Sequence, residues 1–330
     1  MTTDLDTPSA PDAEVSAADA LVGLTVVSVS PAKQAYRRFL THKGAVASTI
    51  VMAILLIVVI FAPLTARYGV NEPVIKISEG KNQFLPPSKI AWFGTDDIGR
   101  DLYSRIIYGA RVSLFLGFIA SLLSVAIGAL IGAVAGIKGG RFDDIVMRVT
   151  DIFLAFPLLV SLLVMRNVLG AVSWVKPVTG PVGSIRFLIV LFVIFGWMSI
   201  ARLVRAQVMS FKEREFIEAA RAIGASNARI VLRHMIPNTT GPLLVSLSLG
   251  IVGVIVGETT LAIFGYGPQP GAGRTSLGVL VGDAKGAVKA GYWWLVVYPI
   301  GALLLITLCI SFIGDGLRDA TDPKFTAEGK

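Results

Sequence analysis

One cysteine and two histidines in 330 residues leave little room for metal or redox chemistry. Cys309 stands alone in an apolar run, which excludes an internal disulfide and a cysteine metal cluster; His42 and His234 do not suffice for a histidine site. Charge is scarce as well, at 16% of residues against about a quarter in a soluble domain. Gly-x-x-x-x-Gly-Lys-Ser/Thr is absent, so nothing here cradles nucleotide phosphates; the Gly-rich run at 271–276 lacks both the spacing and the Lys. Gly-x-Ser-x-Gly and His-Glu-x-x-His are missing too. The expectation is a chain without catalysis, cofactor or metal of its own.

What is present is apolar. Hydrophobic residues reach 54% and mean hydropathy is +0.72, the balance of a membrane protein. Six stretches read as spans, at 45–64, 112–137, 146–165, 187–201, 243–264 and 292–314, which makes the fold class all-α and polytopic. In the second span, Gly128, Gly132 and Gly136 form small-residue pairs that permit close helix packing. Pro157 predicts a kink in the third, and Arg148 and Asp151, three residues apart, predict an ion pair on one of its faces. Tyr292, Trp293 and Trp294 form an aromatic anchor where the sixth begins.

Residues 1–30 are rich in Ala, Ser, Thr and acids and lack the basic start of a signal peptide, so they read as disordered. Tyr36, Phe39 and Leu40 then alternate with Arg37, Arg38 and Lys43, an amphipathic stretch suited to a membrane interface. The chain thus divides into a tail at 1–32, an interfacial helix with the first span and a long polar excursion at 33–110, a core at 111–317, and a second tail at 318–330. Six spans put both termini on one side. Lys and Arg are in modest excess there, which predicts cytoplasmic termini and a cytoplasmic loop at 206–240. The net charge of +8 is scattered, with no basic stripe or aromatic interleaving, so it suits anionic lipid and excludes nucleic acid as the expected partner.

The loop at 216–238 is the longest polar, helix-prone passage between apolar runs. Glu218, Ala219, Ala220, Arg221 and Ala222 favour a helix, and Gly224 falls where a left-handed turn would end it. Ser226 or Asn227 caps a second helix predicted to run through Arg233 and stop before Pro237. Phe216, Ala220 and Ile223 share one face by their spacing, with the alanines keeping the ridge low enough for another protein to approach.

Glu218-Ala219-Ala220, Gly224 after three residues and Pro237 at the end resemble the EAA loop of ABC-importer permeases. His234 and Ile236 stand where that pattern has Ile and Leu. Residues 93–101, Phe-Gly-Thr-Asp-Asp-Ile-Gly-Arg-Asp, running on through Ser104, Arg105 and Gly109 to Leu114, are similar to the dipeptide, oligopeptide and nickel permeases, second or C-type subunit. Their acids lack the ligand order and closing Glu of an EF-hand, so a structured loop with Arg100 paired to an acid is expected instead. The stretch at 35–43 resembles the elbow helix of such permeases.

The resemblance implies a type I ABC-importer permease fold in a bacterial inner membrane. It implies as partners a homologous permease, two ATP-binding subunits that hold ATP and Mg, an external substrate-binding protein and the lipid bilayer. Phe216, Glu218, Ala219, Ala220, Ile223 and Gly224 would form the ATPase-coupling contact. Glu258, inside an apolar helix, reads either as a group on the substrate path or, preferably, as a carboxyl hydrogen-bonded between helices. Peptides are the expected cargo, with nickel or another small solute as the alternative. A self-sufficient channel or ion-driven carrier, with Glu258 and Asp151 as ion sites, is the rival mechanism, and a membrane-embedded enzyme ranks last.

Overall fold

Apolar runs in lipid must satisfy their backbone hydrogen bonds within the segment, and this chain does so with helices. The computed structural model describes residues 31–74, 83–268 and 275–321. The expectations for 1–30, for the Gly-rich run up to 274 and for the tail from 322 fall outside these. Among the described residues, extended pairing is limited to two isolated bridges, Pro73 with Arg100 and Thr95 with Asp101.

The helices run α1 Pro31–Thr41, α2 Lys43–Ile60, α3 Leu102–Lys138, α4 Gly140–Leu154, α5 Leu158–Ala171, α6 Ile185–Lys212, α7 Glu215–Ala222, α8 at 227–238, α9 Thr240–Ile263, α10 Leu277–Ala287 and α11 Trp294–Thr321. Three shorter turns, Ala62–Thr65, Ser173–Val175 and Lys176–Thr179, fill connections. α2, α3, α6, α9 and α11 are long and apolar enough to cross a bilayer. α4 and α5 pass that test only together, bent by 98° at Ala155, Phe156 and Pro157. Pro157 therefore breaks the third span outright: lacking an N–H, it sits at the cap of α5 instead of kinking a continuous helix.

α3 begins ten residues ahead of the apolar run predicted from hydropathy. Asp101 caps it, accepting from the Ser104 amide at 2.9 Å and the Ser104 hydroxyl at 2.7 Å. The glycine ridge on α3 faces α6 at close range. A Cβ on Gly132 would lie 2.3 Å from the Ala201 carbonyl oxygen, and one on Gly128 2.5 Å from that of Trp197. Here the small residues set the distance between the two longest-packed helices of the bundle.

The polar excursion folds back on the bundle. Asp96 accepts from the Arg100 side chain at 2.6 Å and from Arg105, tying loop to helix as the Arg100 expectation foresaw and adding a second arginine. Phe84 stacks on Tyr292 with centroids 4.2 Å apart, Phe93 stacks on Tyr298 at 4.1 Å, and Trp294 Nε1 donates to the Thr95 carbonyl at 3.2 Å. The aromatic group at the start of α11 thus docks this loop, a role beyond anchoring in lipid headgroups.

Candidate functional site

α6 leaves the bundle at Lys212, and the chain turns through Glu213 and Arg214 into α7. The Arg214 carbonyl accepts from the Ile217 and Glu218 amides, and Glu215 and Glu218 occupy the first turn with Arg221 in the last, matching the helix dipole. At the far end Gly224 has φ of 81°, the left-handed turn expected of it. The Gly224 amide donates to the Arg221 carbonyl at 2.9 Å and the Ala225 amide to that of Ala220 at 3.0 Å, the two bonds of a Schellman ending.

Ser226 caps the next helix, its hydroxyl accepting from the Arg229 amide at 3.3 Å. α8 does not stop before Pro237. It runs as Asn227–Ile230, a π-helical turn Val231–Met235 and Ile236–Asn238. The wider turn accommodates a proline that has no N–H and would crowd the carbonyl four residues back. It also brings Ile230 and Met235, five residues apart and divergent on an α-helix, into the same core.

That core fixes which way α7 faces. Ile217 and Ala220 pack with Ala133, Ile137, Val204 and Val208 at the ends of α3 and α6, joined by Ile230 and Met235 of α8. Ala220 is only 6% exposed, so its side chain belongs to the inner face. Phe216 at 43% and Ile223 at 86% are bare, together with Glu218, Ala219, Ala222 and Gly224. This corrects the expectation of one face shared by Phe216, Ala220 and Ile223. Ala220 lies low enough between its neighbours for the core to cover it, and Ala219 is the small residue on the outer face. Sequence reading also passed over Ile217, whose apolar side chain three residues before Ala220 was the available signal.

Two ion pairs brace the neighbouring helices. Arg205 of α6 grips Asp143 of α4 through Nε and Nη2, each at 2.5 Å, and Arg202 pairs with Asp151. Asp151 therefore pairs across helices with Arg202, and not along its own helix with Arg148. The i+3 spacing permitted the local pair, but the packing of α4 beside α6 presents Arg202 to that carboxylate.

Glu258 on α9 is fully buried. The Ser276 hydroxyl donates to its Oε1 at 2.7 Å and the Ser113 hydroxyl approaches its Oε2 at 3.5 Å, while Ser113 Oγ also accepts from the Leu277 amide at 3.1 Å. Ser276 in turn caps α10. The carboxyl thus joins α3, α9 and the start of α10. Its surroundings are those of the preferred expectation, a carboxyl hydrogen-bonded between helices. Among the described residues, no cluster of His, Cys, Asp and Glu could hold a metal ion.

A bundle shaped for a bilayer, with one short helix fastened across its end, has the layout of a membrane permease subunit. Residues 128–327 match the family of binding-protein-dependent transport system inner membrane components, and residues 30–87 match the N-terminal transmembrane domain of oligopeptide transport permease C. This chain belongs to that family of transport permeases, in its C-type branch. It is 34% identical to the dipeptide transport system permease protein of Bacillus subtilis (strain 168), over 90% of this chain and 87% of the relative. It is 36% identical to the oligopeptide transport system permease protein of the same organism, over 90% and 91%. The inward-facing MetNI methionine ABC transporter shares the fold, with a TM-score of 0.51 and 17% identity over 66% of this chain and 96% of that one.

Proposed function

We propose that this chain is one of two permease subunits of an ATP-driven importer of dipeptides or oligopeptides in a bacterial inner membrane, with both termini and α7 in the cytoplasm. The observation that carries the reading is the two-sidedness of α7: fastened beneath by Ile217 and Ala220, it leaves Phe216 and Ile223 bare among charged neighbours. On this reading an ATP-binding subunit receives those two side chains as apolar anchors. Glu218 and Ala219 complete the contact, Gly224 sets the exit angle, and Ala220 supports from beneath. A second ATPase docks on the homologous permease, and an external binding protein delivers cargo at the opposite end. ATP and Mg stay with the ATPases, so this chain supplies neither catalysis nor a cofactor. Closure of the ATPases displaces α7, and the shared core carries the movement into α3 and α6. The peptide cargo is taken from the names of the relatives.

The test is Ile223→Glu in the assembled complex. A charge forced into an apolar contact commonly costs several kcal/mol, so ATPase affinity should fall about a hundredfold or more while membrane insertion is unchanged. ATPase binding at the parent level would refute the docking role. A self-sufficient channel or carrier would transport as the purified chain alone; the reading here requires that it does not, and that adding the partners restores uptake.

A further inference from the structure

A cleft of about 250 Å³ opens within the bundle between α3, α6 and α9, beside the break that separates α4 from α5. Ser121 and Ser124 reach it from the middle of α3, Ser199 from α6 and Ser246 from α9, with Leu154 and Leu158 at its edge. None of its lining side chains is ionisable. Two glycines keep it open: a Cβ on Gly196 would lie 2.4 Å from the Ser124 hydroxyl, and one on Gly250 3.2 Å from that of Ser121. The Ser121 hydroxyl is the telling group. The residue is 2% exposed, its oxygen has no hydrogen-bond partner, and it borders this space. A buried hydroxyl without a partner costs free energy that a polar ligand in the cleft would recover.

We propose that this cleft is the part of the transport path that holds the main chain of the cargo, with the serine hydroxyls bonding to its amides and carbonyls. The inference rests on the peptide-importer reading and deepens it. The hydroxyls of Ser121, Ser124 and Ser199 can donate to a peptide carbonyl or accept from a peptide N–H, and that of Ser246, which donates to the Pro242 carbonyl at 2.9 Å, can accept; those peptide groups recur whatever the side chains. Without a charge, the lining imposes no preference for acidic or basic cargo and leaves no tightly held ion to slow release. The volume falls below the range of about 300–1,000 Å³ usual for drug-sized ligands, so this chain holds a short segment and the partner permease encloses the rest.

The experiment uses the complete complex in proteoliposomes, with trialanine as the probe. In a Cys309→Ser background, Ser199→Cys is labelled with a small methanethiosulfonate. Ser199 is exposed, so neither this change nor Ser199→Leu disturbs the core. Binding protein loaded with trialanine, plus ATP, should slow labelling several-fold relative to empty binding protein plus ATP. Ser199→Leu should cut trialanine uptake at least about tenfold, an extra side chain in a fitted pocket commonly changing rates by 10–200-fold. ATPase subunits should remain bound in both variants. If the parent takes up trialanine while labelling is unslowed and Ser199→Leu transports at the parent rate, the cleft is not on the path and the inference falls alone. If the assembled parent takes up no peptide, the peptide reading itself has failed, and this inference with it.

Discussion

Neighbouring alanines on α7 face opposite ways, so the same substitution tests different things at each. Ala220 is buried against Ile217 and the helix ends beneath, and an arginine there would leave an unpaired charge in an apolar core. Ala220→Arg should destabilise the loop by about 3–5 kcal/mol, visible as a lowered thermal midpoint of the solubilised protein. Ala219→Arg should leave that midpoint nearly unchanged, because the side chain points outward, and should weaken ATPase binding instead. Equal thermal losses in the two variants would contradict the orientation of α7. Gly224 offers a further contrast. Nothing lies within 4 Å of a Cβ built there, so the cost of substitution is backbone strain alone. Gly224→Val should cost about 1–3 kcal/mol and uncouple transport, whereas Gly224→Asn, which tolerates a left-handed backbone, should retain most of the parent activity in an uptake assay.

At the scale of elements, α6 is held on two sides by different physics. Along α3 the contact is steric, with glycine backbone against carbonyl oxygen. Gly132→Leu has no room to relax into, since its first added carbon already meets the Ala201 backbone. It should push the helices apart at a cost of more than about 1–3 kcal/mol and block assembly with partner subunits, measured by co-purification. Toward α4 the contact is electrostatic and carried by two-point pairing of Arg205 with Asp143. A double-mutant cycle on Asp143→Ala and Arg205→Ala should give a coupling energy of about 1.5–3 kcal/mol in thermal unfolding, as for a charge-assisted bond. Additive single losses would mean that the pair contributes nothing beyond its separate side chains.

For the whole molecule, orientation is the property that every functional statement depends on. Cys309 is buried in α11 and can be replaced by serine to give a background free of thiols. Single cysteines at Ser88, exposed in the polar excursion, and at Ala228, exposed on α8, then report the two ends of the bundle. In intact cells an impermeant maleimide should label the first and not the second. The reverse pattern would invert the topology and remove α7 from the reach of cytoplasmic ATPases.

Hydropathy alone determined that this is a helical membrane protein with about six spans, because a spanning segment must be both long and apolar, and both are local properties. The left-handed turn at Gly224 was equally legible, since only local backbone conformation is at stake there. Tertiary structure decided what depends on partners distant in the chain. Asp151 chose Arg202 over Arg148, Ala220 turned inward while Ala219 stayed outside, and Glu258 met Ser276 and Ser113 from two other helices. In each case the sequence offered more than one chemically acceptable neighbour, and helix packing set which one lay within a few ångströms. The π-turn in α8 arose in the same way: Pro237 forbids one regular bond, but the core beneath rewards continuing the helix, so the chain widens by one residue and goes on.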